Sequence, residues 1–171
     1  VGLKVDKCLD LCCGPQKPEG YIGIDIIPFN CVDTVCDINN GIPFDDDTFN
    51  RVRAHDAIEH IWDGMKLIKE IWRVLKDGGI FDCLVPSTDG RGAFQDQTHV
   101  SFWNENSFGY WVTVHPWADY YRGKCLFSRC ELETTPMSDD RVCHVKFVAS
   151  AVKNSGWINT IKNRIKSTRR W

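Results

Sequence analysis

Three carboxylates, Asp10, Asp25 and Asp37, each stand at or near the end of a short apolar run, in LDL, GID and CD. An ionised carboxylate only accepts hydrogen bonds, so one placed at a strand end is suited to take two hydroxyl protons of a sugar. Asp25 fits that role best, although each of the three also reads as a solvated strand end. A second group lies in the polar stretch DQTH, where His99 could take a proton from an acceptor and Asp96 could orient the imidazole or substitute for it. His60, after Glu59 in AIEHI, reads as a structural residue at a helix start or as a second candidate base. Cys12 and Cys13 are small packing residues on this reading, because nothing beside them in sequence would activate a thiolate.

Positioning these groups takes an alternation of strands and helices. Val5 to Leu11 alternates apolar and polar residues and runs into the turn signal Cys12, Cys13, Gly14, Pro15. Tyr21 to Ile26 and Val32 to Cys36 are two more β-rich runs, and Phe49 to Ala54 is a fourth. Met65, Ile68, Ile71, Trp72 and Leu75 then recur at helical spacing, with Gly78 and Gly79 as the stop, before the buried-strand pattern of Ile80 to Val85. Strand, helix, strand predicts a right-handed parallel crossover. Residues 86–124 are aromatic and Gly-bearing and read as a lid or acceptor insertion, with a short helix over Glu105 to Val112 capped by Asn104. Cys125 to Thr134 and Arg141 to Val152 predict an antiparallel hairpin that finishes the sheet.

The bulk numbers set limits. With 171 residues, 43% hydrophobic and 26% charged, the chain predicts one folded domain over 1–171. A net charge of -2 argues against binding nucleic acid through an overall basic field. No apolar run is long enough to span a bilayer, no signal-peptide pattern opens the sequence, and a cytoplasmic location follows as the expectation. Nine cysteines, an odd number without C-x-x-C spacing, and five histidines not interleaved with them predict reduced thiols and no metal site.

The ordered set LDLCCGP (9–15), GIDI (23–26), CDINNGIPFDDDTFN (36–50), AIEHI (57–61) and RVLKDGG (73–79) resembles the class I S-adenosylmethionine-dependent methyltransferases, over residues 5–112. The resemblance is to the compact subgroup whose first loop is short, and DQTHVSFWNENSF (96–108) resembles a segment that follows the fifth strand there. It implies a Rossmann-like α/β three-layer sandwich, with a mostly parallel seven-stranded sheet ending in an antiparallel hairpin. S-adenosylmethionine would lie across the C-terminal strand ends and leave as S-adenosylhomocysteine. The resemblance implies that Asp10, Leu11, Cys12, Cys13 and Gly14 wrap the methionine part. Asp25, with Ile26 beside it, would take the ribose hydroxyls, Asp37 and Ile38 the adenine, and the backbone near His55 the amino end. Asp25 lies closer to Asp10 than the roughly 20 residues of dinucleotide folds, which predicts a short or missing first helix.

Four positions depart from the family pattern. Cys12 stands where glycine is usual, and Asn50 where aspartate is common, while Arg51 and Arg53 charge a strand expected to be apolar. The expected consequence is weaker cofactor binding rather than another fold. The aromatic residues Phe102, Trp103, Phe108, Tyr110, Trp111, Trp117, Tyr120 and Tyr121 read either as core and lid packing or as an apolar wall for the acceptor. The tail 156–171 carries Ile158, Ile161 and Ile165 at helical spacing among basic residues. It reads as a helix on the domain edge, or as a site for nucleic acid or another anionic surface.

The function expected is in-line methyl transfer to a small-molecule or saccharide acceptor, with His99 and Asp96 handling the proton of a hydroxyl. A non-catalytic cofactor-binding or scaffold protein and an RNA or nucleotide methyltransferase are the alternatives.

Overall fold

The structure is a computed structural model that describes residues 6–112 and 118–154, the side chains of 118 and 119 excepted. Seven strands form one sheet: β1 (Cys8–Leu11), β2 (Tyr21–Asp25), β3 (Thr34–Val35), β4 (Phe49–His55), β5 (Leu75–Pro86), β6 (Phe127–Thr134) and β7 (His144–Ala151). Their spatial order is β3-β2-β1-β4-β5-β7-β6. The first five pair in parallel, and β7 runs antiparallel to both β5 and β6. The strand sequence reverses direction between β1 and β4, which makes their C-terminal ends the switch point where open α/β sheets bind ligands.

Helix α1 (Gly64–Val74) is the longest helix among the described residues. Asp63 caps it, its side chain accepting the N–H of Lys66, and Leu67, Ile68, Ile71, Trp72 and Val74 form its buried stripe. Each such side chain contributes about 2 kcal/mol of gross burial energy. The helix ends earlier than Gly78 and Gly79 suggest. Leu75 turns extended (φ -71°, ψ 143°) because its buried side chain opens β5 opposite Phe49. Gly78, with φ +77°, serves the register shift that follows, where glycine avoids the Cβ clash of the left-handed region. Between β1 and β2 the nine residues 12–20 contain no helix, as the short spacing of Asp10 and Asp25 predicts.

Several elements are trimmed relative to expectation. β1 begins at Cys8 rather than Val5, β3 keeps only Thr34–Val35 of the run 32–36, and α3 (Glu105–Gly109) is shorter than 105–112. Asn104 does cap α3, in a reciprocal box with Ser107. The remaining short helices are α2 (Gly92–Gln95) and α4 (Ala118–Arg122).

The two faces of the sheet differ. Leu9, Leu11, Val52, Ala54, Phe81, Cys83, Phe147 and Ala149 belong to the core, into which α1 packs, and Phe108 of α3 stacks on Phe147 with centroids 4.5 Å apart. The opposite face of the central strands carries Asp10, Arg51, Arg53, His55, Asp82 and Lys146. Arg51 pairs with Asp82 at 2.8 Å, Arg53 with Asp10 at 2.7 Å and Lys146 with Glu131 at 2.8 Å. The strict buried–intermediate alternation of β7 reflects this division. The two arginines on β4 are thereby explained: they point away from the apolar core and meet acids on neighbouring strands. Asn50 is structural too, its Oδ1 accepting from Lys7 N and Lys76 Nζ.

Candidate functional site

The loop leaving β1 turns back through two left-handed residues, Cys12 (φ 50°) and Gly14 (φ 56°). Cys12 thus keeps a backbone conformation suited to glycine and carries its strain, about 1 kcal/mol. Two bonds hold the loop against β2, Cys13 N–H donating to Ile24 O at 3.1 Å and Gly14 N–H to Asp25 Oδ2 at 2.9 Å, and a third comes from the segment after β2, Cys31 Sγ donating to Gly14 O at 3.1 Å. Asp25 ends β2, is 7% exposed, and its Oδ1 also accepts Ile27 N–H at 2.8 Å. Each of its oxygens keeps a second lone pair for a ligand hydroxyl. Asp37 accepts from Asn39 N and Nδ2 and caps the 3-10 turn Ile38–Asn40. Those bonds, the backbone one foremost, hold its carboxyl below the usual range. Ile26 is exposed and Ile38 buried.

Other residues of the expected cofactor set sit differently. Asp10 is wholly buried on the polar sheet face, where Oδ1 meets Arg53 and Oδ2 has no hydrogen-bond partner. Burial pushes its carboxyl above the usual range and Arg53 opposes the rise. Its side chain is therefore engaged across the sheet with β4. Leu11 and Cys13 have buried side chains, so their backbones are what the rim offers. The Cys12 thiol is pushed up to about 12 by burial, with the carboxylates of Asp25 and Glu59 adding to it, so it is no nucleophile. The His55 side chain bonds Asp82 at 3.1 Å. Asp56, beside it, is left-handed (φ 48°) and ties to Leu84 O through its N–H.

Beyond β4, the 3-10 turn Ile58–His60 is clamped to the loop that follows α2: Val100 N–H and Ser101 N–H both donate to Glu59 O, and Ser101 Oγ donates to Ile58 O. This brings His60 and His99 together, ring centroids 4.9 Å apart. His99 Nδ1 lies 3.0 Å from Ala93 O, so a proton on Nδ1 leaves the lone pair on Nε2. Asp96 does not orient His99 as the sequence suggests. Its Oδ1 accepts from Thr98 N and Oγ1, and Oδ2 stands 4.0 Å from His99 Nε2, beyond hydrogen-bond range. Because Thr98 gives its hydroxyl proton to Asp96, Thr98 Oγ1 accepts from His60 Nδ1 at 3.1 Å. Asp96 therefore orients His60, through Thr98.

The residue that sequence reasoning passed over is Glu59. It is 2% exposed, neither carboxylate oxygen has a hydrogen-bond partner, and Oε1 lies 4.0 Å from His99 Nε2. Burial, opposed by the nearby backbone N–H groups of Glu59 and Ala57 and reinforced by Asp56 and Asp96, pushes its acid up to about 7. The signal was available: an acid flanked by Ile58 and Ile61 in a turn that must bury both.

The aromatic stretch divides. Trp103, Phe108 and Trp111 are buried in the core, whereas Phe102, Tyr120 and Tyr121 are exposed. A cavity of about 440 Å³ opens between these groups, lined by Met65, Phe102, Trp103, Tyr110, Trp111 and Tyr121 among others. Trp117 and the basic tail 156–171 lie outside the described residues. Among the described residues no helix is long and apolar enough to cross a membrane.

Comparison with known proteins agrees with the fold. The methyltransferase-domain family matches residues 12–83. A demethylmenaquinone methyltransferase of Lysinibacillus sphaericus (strain C3-41) is 32% identical over 74 residues, which are 43% of this chain and 28% of that relative's length. The YcgJ protein from Bacillus subtilis superposes with a TM-score of 0.63 at 13% identity, covering 88% of this chain and 93% of that one. A 1,6-didemethyltoxoflavin-N1-methyltransferase from Burkholderia thailandensis, solved with S-adenosylhomocysteine, gives 0.63 at 11% identity, covering 86% and 72%. The cyclase SpnF gives 0.64 at 14% identity, covering 87% and 75%. At these identities the superpositions bear on the fold alone, and a cyclase shares it. Motif order, strand order and the match over residues 12–83 together make the chain similar to the class I S-adenosylmethionine-dependent methyltransferases, and it spans about a quarter of the length of the demethylmenaquinone methyltransferase it matches.

Proposed function

We propose that this chain transfers a methyl group from S-adenosylmethionine to a small-molecule or saccharide acceptor. The observation that carries this reading is Asp25: a buried carboxylate at a strand end next to the switch point, bonded to the Gly14 backbone, with lone pairs left for two ribose hydroxyls. Around it the Cys12–Gly14 backbone would follow the methionine part, the Asp37–Ile38 turn the adenine, and the backbone at His55 the amino end. S-adenosylmethionine supplies an activated methyl group, so the protein's work is to align the acceptor with it and exclude water. The aromatic cavity supports an acceptor with apolar faces, since ring surfaces pack on the C–H face of a sugar as readily as on a planar molecule. Free thiols at all nine cysteines support a reducing, cytoplasmic setting.

Calorimetric titration with S-adenosylmethionine and S-adenosylhomocysteine tests the reading. One-to-one binding of both is expected, followed by transfer of label from the methyl donor to a hydroxylated acceptor in a screen. A folded protein that binds neither would sink the proposal in favour of a scaffold role.

A further inference from the structure

We propose that Glu59, His60 and His99 form a binding site for a divalent first-row metal ion. One ligand atom from each of the three lies within 4.8 Å of the other two, and among the described residues no other group of histidines, cysteines and acids meets that geometry. The donor set, two imidazoles and one carboxylate, suits such ions.

Three independent features prepare these side chains as ligands. Glu59 is buried to 2% exposure with both oxygens lacking a hydrogen-bond partner, an arrangement that is costly unless a cation compensates it. His99 is fixed through Nδ1 by the Ala93 carbonyl, at 3.0 Å. His60 is fixed through Nδ1 by Thr98 Oγ1 at 3.1 Å and Thr98 O at 3.3 Å, with Asp96 behind the threonine. Both rings therefore present Nε2 with its lone pair free, and a carbonyl or a carboxylate behind a ligating imidazole is what holds the required tautomer. The ligand atoms must close from the 4.0 Å between His99 Nε2 and Glu59 Oε1 to roughly 3.3 Å around an ion with bonds of about 2.1 Å. The Glu59 carboxylate makes no side-chain hydrogen bond, and only the nearby backbone N–H groups of Glu59 and Ala57 act on it, so it is free to make that movement.

The cluster adjoins the cofactor rim, since the Glu59 and Asp25 carboxylates both act on the Cys12 thiol. Three protein ligands leave coordination positions open. Resting on the function proposed above, those positions would take oxygen atoms of the acceptor and make a bound hydroxyl more acidic, easing the loss of the proton that the sequence alone assigns to His99 as a free base.

Mn²⁺ is the probe, because the nine cysteine thiols compete for softer ions. Electron paramagnetic resonance of free Mn²⁺ counts bound ions on the full chain, in the absence of any methyl donor. One ion per chain is expected, with at least tenfold weaker binding in Glu59→Gln and in His99→Asn. Mn²⁺ should also raise the melting temperature of the native chain but not of Glu59→Gln, which is isosteric and lacks the buried charge. Absence of saturable binding, or affinity unchanged in both variants, would overturn the proposal. If Mn²⁺ binds but neither S-adenosylmethionine nor its product does, the metal site stands and the methyl-transfer reading fails. The converse result leaves methyl transfer and removes the metal.

Discussion

Asp25 Oδ2 accepts the backbone N–H of Gly14 at 2.9 Å, so the acid that ends the second strand also shapes the loop that ends the first. A change at Asp25 therefore acts on two parts of the proposed cofactor site at once. Asp25→Ala should abolish measurable S-adenosylmethionine binding by calorimetry. Asp25→Asn should weaken it at least tenfold, because an amide has one acceptor oxygen where the carboxylate has two. Native affinity in both variants would mean that the ribose is held elsewhere.

Cys12→Gly should tighten S-adenosylmethionine binding several-fold. The substitution removes left-handed strain of about 1 kcal/mol and a side chain from the loop that, in the proposed function, follows the methionine part of the cofactor. Glycine loses about 0.5–1 kcal/mol of backbone entropy on folding, so stability in urea should stay nearly constant. A gain in affinity without a gain in stability separates the two effects. Weaker binding would show that the Cys12 side chain contacts the ligand.

Arg53→Met should destabilise the fold by about 3 kcal/mol, since it strands the fully buried Asp10 carboxylate without its ion-pair partner. Adding Asp10→Asn should restore part of the loss, because the cost lies in the orphaned charge. Urea denaturation of the single and double variants measures the coupling, and strict additivity would count against a direct pair.

Asp82 is held below the ordinary carboxylate range, chiefly by its hydrogen bond with His55 and further by Arg51. Lys146 on the neighbouring strand acts with it, and Asp82 in turn acts on Lys146. A depressed folded value means that the ionised acid stabilises the fold above about pH 4, its unfolded value, and that this contribution fades as pH falls through the lower folded value. Asp82→Asn should therefore cost about 1 kcal/mol near neutrality and nothing at the acid end. Unfolding free energy measured from pH 6 to pH 2 should show a shallower acid limb in the variant. Parallel curves would place the stabilisation elsewhere.

Periodicity and turn residues alone were enough to read the seven strands' approximate positions, the helical recurrence from Met65 to Leu75, the Asn104 cap and the final hairpin. The motif series singled out Asp25 as a strand-end acid, and it ends β2. These features are local: alternation, helical recurrence and capping residues act over a few neighbours. What pairing and burial decide lay beyond that reach. Leu75 left the helix for a strand because Phe49 lies opposite it, and Arg51 and Arg53 are tolerated because Asp82 and Asp10 wait on adjacent strands. Glu59 and His99 are forty positions apart, and two backbone bonds from Val100 and Ser101 to Glu59 O bring them within 4.0 Å. Sequence spacing carries no record of that approach, so the chain by itself determined the elements and the rim, while only the tertiary structure decided which charged groups meet and which are left buried without a partner.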